Sequence, residues 1–190
     1  MFIAISFIGI LLIASPVLAE IHFPSTEQFS EIYLLGPNQM ATDIPFNVNT
    51  SQTYTVYLGV GNHLDSSAYY VSYVKIRNQT ESFPSEKDQT PSSLSPVHEY
   101  RLFLENNQNL TYPLVFSFKN VDFSNNQAVV KTLSINGLDI NLSEPSQFDS
   151  ENQGYYYQFI VELWAVNPLS TVTQYQNRYV YFWVNVTSPV

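Results

Sequence analysis

The sequence predicts an all-β protein: an antiparallel β-sandwich of about eight strands with immunoglobulin- or fibronectin-like connections, following an apolar helix at the N-terminus. Three observations predict it. Apolar and polar residues alternate with period two along successive short runs. Strand-forming aromatics are abundant, with 14 Tyr and 13 Phe against 6 Gly in 190 residues. Turn residues separate the runs, and no helical period follows the leader. A closed barrel is the other architecture this pattern allows.

Two long runs near the C-terminus, Tyr155–Ala165 and Arg178–Val186, are joined by a polar turn containing Asn167-Pro168. They read as adjacent strands of a half-buried sheet. From the start of the chain, Met1–Ala19 is apolar and carries no charged side chain, with Ser15-Pro16 before Val17-Leu18-Ala19. Small residues after a helix breaker fit a signal peptide. An uncleaved membrane anchor is the competing reading, since about 18 apolar residues suffice to cross a bilayer. Both put the remaining chain outside the cytoplasm, secreted or at the cell surface, and an uncleaved anchor would make the membrane itself a partner. Residues 20–28 form a polar lead-in, and 29–190 the sandwich domain.

Within the domain, Ile32–Leu35 reads as the first strand, closed by Gly36-Pro37, and Met40–Asn49 as an extended link. Thr53–Val60 and Tyr69–Arg77 are strands, and the Lys75/Arg77 side of the second is expected to face water. Asn78–Pro96, with Pro84, Pro91 and Pro96, reads as the longest loop and a mobile one. Val97–Glu105 and Tyr112–Phe118 follow, with Pro113 pointing to an edge or bulge. In Gln127–Ile135 the best apolar phase is Val129, Leu133 and Ile135. It carries Lys131 inward, so an irregularity is expected there. Asn136-Gly137 predicts a tight hairpin with a short return arm, Leu138–Ile140. Asn141–Gly154 reads as a polar loop.

Composition excludes several function classes. The net charge is −9 with 7 Lys and Arg, and no basic run occurs, so a nucleic-acid partner lacks its electrostatic footprint. Cysteine is absent, which removes disulfides, thiolate nucleophiles and cysteine-ligated metals. His22, His63 and His98 are scattered without metal-ligand spacing, so no metal or cofactor is expected. No G-x-S-x-G or phosphate-cradling glycine loop appears. Glu99, Glu105 and Glu162 fall on strands, each on a face expected to be solvated. A glycan hydrolase would need two such carboxylates to converge in a cleft.

Three islands carry a resemblance. Phe29-Ser30-Glu31-Ile32-Tyr33-Leu34-Leu35-Gly36-Pro37, Tyr54–Gly61 with Asn62-His63, and Tyr179–Val186 resemble an archaeal family of unknown function, domain-of-unknown-function family 1616. The resemblance implies an extracytoplasmic β-domain tied to membranes. It brings no catalytic residues.

The sharpest feature is an aromatic stripe. With Tyr157, Phe159, Val161 and Leu163 inward, Tyr156 and Trp164 line up outside, near Tyr179, Tyr181 and Trp183. Exposed aromatic ladders mark recognition surfaces for sugars or proteins; alternatively a loop or second layer covers them. Five N-x-[ST] sequons start at Asn49, Asn78, Asn109, Asn141 and Asn185, of which Asn78, Asn109 and Asn141 are expected in loops open to glycosylation. The expected function is non-enzymatic: contacts with envelope proteins or glycans. The alternative is a surface filament or surface-layer subunit assembling by strand addition, with 20–28 as the free segment.

Overall fold

The computed structural model describes residues 27–167 and 169–187. The expected N-terminal helix, whether signal peptide or anchor, and most of the lead-in lie outside these residues. Among the described residues no helix is long and apolar enough to cross a membrane.

The chain is all β. Its strands are β1 (Phe29–Leu35), β2 (Asn47–Asn49), β3 (Tyr54–His63), β4 (Ala68–Arg77), β5 (His98–Leu104), β6 (Gln108–Ser124), β7 (Gln127–Ile135), β8 (Leu138–Asp149), β9 (Gly154–Val166) and β10 (Thr173–Thr187). They form one curled sheet that folds over on itself. One half runs β1-β3-β6-β7-β8 and the other β5-β4-β9-β10-β2, with β8 crossing between them where Phe148 pairs Tyr155. The two halves face each other as layers. Phe116 of the first lies 4.9 Å from Phe159 and 5.7 Å from Phe182 of the second. Phe159 and Phe182 stack at 4.9 Å.

The inner phase of the sequence holds. Val56, Leu58, Val60, Leu114, Phe116, Phe118, Tyr157, Phe159, Val161 and Leu163 are all buried. Asn136-Gly137 makes the hairpin, with φ of 49° and 81° between paired Ile135 and Leu138. Asn125-Asn126, with φ of 53° and 58°, makes an equivalent turn between β6 and β7. Positive φ at both central residues matches the strand twist. Pro113 is tolerated because β6 pairs β7 only from Phe116 onward, which leaves its other side unpaired.

Several expectations need correction. Among the described residues there are ten strands, not eight. β2 is missing from the sequence reading because it is three residues long, held as a parallel pair with β10 by Val48↔Val186. The sheet is therefore not purely antiparallel. The expected polar loop 141–154 is mostly strand: β8 continues to Asp149, and its inward positions Glu144 and Ser146 hide the alternation because they are polar. The irregularity expected around Lys131 is present: the register slips between Val130 and Thr132, which reverses the phase and turns Lys131 outward. Ala128 and Val130 are thus buried with Leu133 and Ile135. This bulge, and another in β6 around Lys119, bend the hairpin and help carry β8 toward the second layer.

Candidate functional site

The largest departure lies on the outer face of β4, β9 and β10. Residues 78–97 do not hang free as a mobile loop. They form a strap lying across that face, turned by the pair Ser85 and Thr90, whose backbones exchange hydrogen bonds of 2.9 and 3.1 Å. Its far end is tied where Val97 N–H donates to Val74 C=O at 2.8 Å. Lys75 and Arg77, expected in water, are buried, as is Glu162, expected on a solvated face.

The charges are internally answered. Lys75 Nζ lies 2.8 Å from Glu162 Oε2 and donates to the Ser92 carbonyl at 2.7 Å. Ser92 N–H donates to Glu162 Oε1 at 2.7 Å, and Trp164 Nε1–H to Oε2 at 3.2 Å. Burying a carboxylate is costly unless it is paired and hydrogen-bonded, and here it is both. Arg77 donates to the carbonyls of Asn78 and Gln79, and its guanidinium lies over the rings of Phe83, at 5.4 Å, and Trp183, at 5.8 Å. Burial pulls its pKa down, partly opposed by the Glu81 carboxylate. Phe83 packs edge-on against Tyr179 and Tyr181, and Tyr179 O–H donates to Glu86.

The strap therefore covers most of the expected stripe. Tyr156 is buried, Trp164, Tyr179 and Trp183 are half-buried, and only Tyr181, at 49%, is exposed. Trp164 packs against Tyr73 and Tyr175. Burial and then the Glu162 charge push the Tyr175 phenol up. The stripe is not one continuous exposed ladder, because β9 is packed on both faces.

One part of it stays open. At the end where the strap begins, Tyr156 and Trp183 meet Phe46, Gln79, Asp149 and Asn152 around a recess of about 300 Å³. Phe46 comes from the link before β2 and lies 5.9 Å from Tyr156. Sequence reasoning missed it, since its position depends on β2 docking beside β10: Asn185 N–H donates to its carbonyl at 2.7 Å. Asp149 and Asn152 belong to the β8–β9 turn. The Asp149 carboxylate accepts from Glu151 N–H, Asn152 N–H and Asn152 Nδ2–H. These bonds, Asn152's side chain foremost, hold its pKa below the usual carboxylate range. Gln79 Oε1 accepts from Ser146 Oγ–H at 2.9 Å. Tyr156 O–H donates to the Asn152 carbonyl. A second depression of about 400 Å³ adjoins the first and shares Gln79 and Asp149 with it. Its far wall is Gln127, Gln147 and Phe148.

The structure sorts the other candidates. Among the described residues no group of three or more His, Asp or Glu could hold a metal. Glu99 bonds Arg101 on the surface, at 2.8 Å, while Glu162 is sealed beneath the strap. Asn62 organises the β3 end by donating to Ser66, Leu104 and Glu105 carbonyls and accepting from Tyr70 O–H. His98 is half-buried against Tyr100 at 4.8 Å, and burial lowers its pKa. Of the sequons, Asn49, Asn109 and Asn141 are exposed and all three are on strands, where loops were expected for Asn109 and Asn141. Asn185 is buried, and Asn78 spends its amide on Glu144 and Pro145.

A family model described as "Domain of unknown function (DUF1616)" matches residues 24–136. The match takes in the first two sequence islands, which are β1 and β3 paired side by side, and ends before Tyr179–Val186. No curated protein matches the sequence. Among solved structures, a β-glucosidase from Listeria innocua is similar at 10% identity and a TM-score of 0.42, covering 88% of this chain and 17% of its own. The CARDB domain of a Pyrococcus furiosus protein, in complex with di-metal ions, is similar at 11% identity and a TM-score of 0.40, covering 86% and 95%. The ASH/PapD-like domain of human CEP192 gives 10% identity and a TM-score of 0.35, covering 90% and 94%.

Proposed function

The chain belongs to the DUF1616 family, and from that premise we propose that it is a non-enzymatic, extracytoplasmic binding module that contacts envelope proteins or glycans through the recess beside the strap. We read its strand order as immunoglobulin-like: β1-β3-β6 correspond to strands A-B-E and β5-β4-β9-β10 to C′-C-F-G, with the β7–β8 hairpin added between E and F. In such domains, loops at the ends of the sandwich present binding groups on a rigid frame.

One observation carries the reading. The outer face of the second layer is sealed by the strap, yet Tyr156, Trp183 and Phe46 are gathered around an opening with polar side chains on its rim. Concave sites that mix aromatic walls with a few fixed polar groups are the usual form of a ligand site. The acidic groups under the strap do not offer hydrolytic chemistry, since Glu162 is neutralised by Lys75. The apolar leader Met1–Ala19 supports export.

Export is tested by adding protease to intact cells that express the full chain. Digestion of the domain supports an outside location, and full protection contradicts it. The contact is tested by retention of the full chain on washed envelopes. Trp183→Ala is expected to reduce retention at least fivefold, and unchanged retention contradicts the site.

A second reading rests on the β5 edge, where β4 is the only partner among the described residues and Phe103 is 63% exposed. Strand addition there would build filaments. Concentration-dependent growth in size, abolished by Phe103→Lys, would favour it over the recess.

A further inference from the structure

We infer that the two adjoining depressions form subsites for a neutral oligosaccharide of at least two sugar units, an inference that rests on the binding-module reading above. The chemistry of the walls selects the ligand. Phe46, Tyr156 and Trp183 offer π faces and edges at one end. The C–H face of a pyranose carries weak positive charge and packs against such rings. Gln79, Asn152 and Asp149 stand beside them with amide donors, amide acceptors and an ionised carboxylate. Sugar hydroxyls need this mixture, because each is both donor and acceptor. With three of its roughly four acceptor sites taken by its own turn, the Asp149 carboxylate can accept one sugar hydroxyl.

The alternatives fit less well. An anionic ligand needs a cation, yet no Lys or Arg lines either depression, and the chain carries a net charge of −9. The nearest guanidinium, Arg77, is already bonded to two backbone carbonyls. A wholly apolar ligand would bury the Gln79 Nε2 donors and the Asn152 Oδ1 acceptor, the halves of those amides not bonded to Ser146 and Asp149, without partners. A cation would meet a single carboxylate already accepting three bonds from its own turn.

Length follows from the second depression. It continues from the first across Gln79 and Asp149, and its walls become richer in amides, with Gln127 and Gln147 beside Phe148. A first sugar stacks at the Phe46 end, and the next reaches the glutamines. The rim is preorganised, since Asp149, Gln79 and Tyr156 are each fixed by the hydrogen bonds described above. Preorganised groups lose less freedom on binding.

The test is saturation-transfer NMR and calorimetry on the full chain with glucan and mannan oligomers of one to four units and oligogalacturonate as the anionic control. Binding of a neutral oligomer is expected, at least tenfold tighter for the dimer than for the monomer. Phe46→Ala, at an exposed position, and Asp149→Asn are expected to weaken it at least tenfold while keeping the parent's thermal transition. Thr55→Ala, on the opposite layer, is expected to change nothing. Absence of binding to every neutral oligomer, equal binding by the variants, or preference for oligogalacturonate overturns the inference. If envelope retention still depends on Trp183 while no sugar binds, the sugar fails and the binding module stands. If both are lost, both readings fail.

Discussion

The two layers of this sandwich share one core but have unlike outer faces. On the first layer, outward residues such as Thr55, Tyr57, Pro113 and Lys131 are half-buried or exposed. On the second, the equivalent positions Val71, Lys75, Arg77, Gln158, Ile160 and Glu162 are buried. The strap makes the difference. A face lined with Ile160 beside Lys75 and Glu162 is stable only when a cover both excludes water and answers the charges. The Ser92 backbone does the second job, accepting from Lys75 and donating to Glu162. The lesson is that a strand can look half-solvated in sequence and still be packed on both sides.

The comparison breaks most visibly through the ion pair. Glu162→Ala would leave Lys75 buried without its counter-ion, and such losses destabilise by about 3–5 kcal/mol. That equals the cost of about 3–5 kcal/mol expected for Phe159→Ala in the shared core. Urea denaturation of the two variants is expected to give midpoints lowered alike. A Glu162→Ala midpoint close to that of the parent would mean that the strap does not seal this face.

Next in size is the hairpin of the first layer. Gly137 has a φ of 81°, and a side chain there brings strain of about 1–2 kcal/mol. Gly137→Ala is expected to lower the unfolding free energy by about 1–2 kcal/mol without altering ligand binding. On the same layer, Thr55→Ala is expected to stay within about 0.5 kcal/mol of the parent.

A subtler effect concerns how the strap starts. Asn78 N–H donates to Glu81, and Asn78 Nδ2–H donates to Glu144. The Glu144 carboxyl is pushed up to about 8, first by burial and then by Glu81 beside it. A raised value means that the folded chain holds this proton more tightly than the unfolded chain. The stabilisation is complete below the ordinary value of 4.5 and is lost as pH rises through 8. The melting temperature is expected to fall from about pH 5 to about pH 9, and Glu144→Gln to flatten that fall. An equal slope in the variant would remove Glu144 from the account.

Legibility in the sequence follows the same division. The inner faces were readable because period two with Phe, Val and Leu leaves one solution for the core. The Asn136-Gly137 turn was readable because its backbone demands those residues. The outer face of the second layer was not, since Lys75, Arg77 and Glu162 look solvated until a distant segment supplies their partners. The strap itself reads as a loop, for its contacts are made by backbone groups and by the side chains of Phe83 and Glu86, which have no periodic spacing. Period two puts Tyr156 and Trp183 on one outer face, but Phe46 and Asp149 join them only through the β2 docking and the β8 extension. Neither leaves a periodic mark.

The most direct measurement is native-state hydrogen exchange at the Ser92 amide. If the strap seals the second layer, this proton exchanges only with global unfolding, as slowly as the amides of Phe159 and Phe182. Exchange at the rate of an open surface loop would contradict the account and return residues 78–97 to solvent.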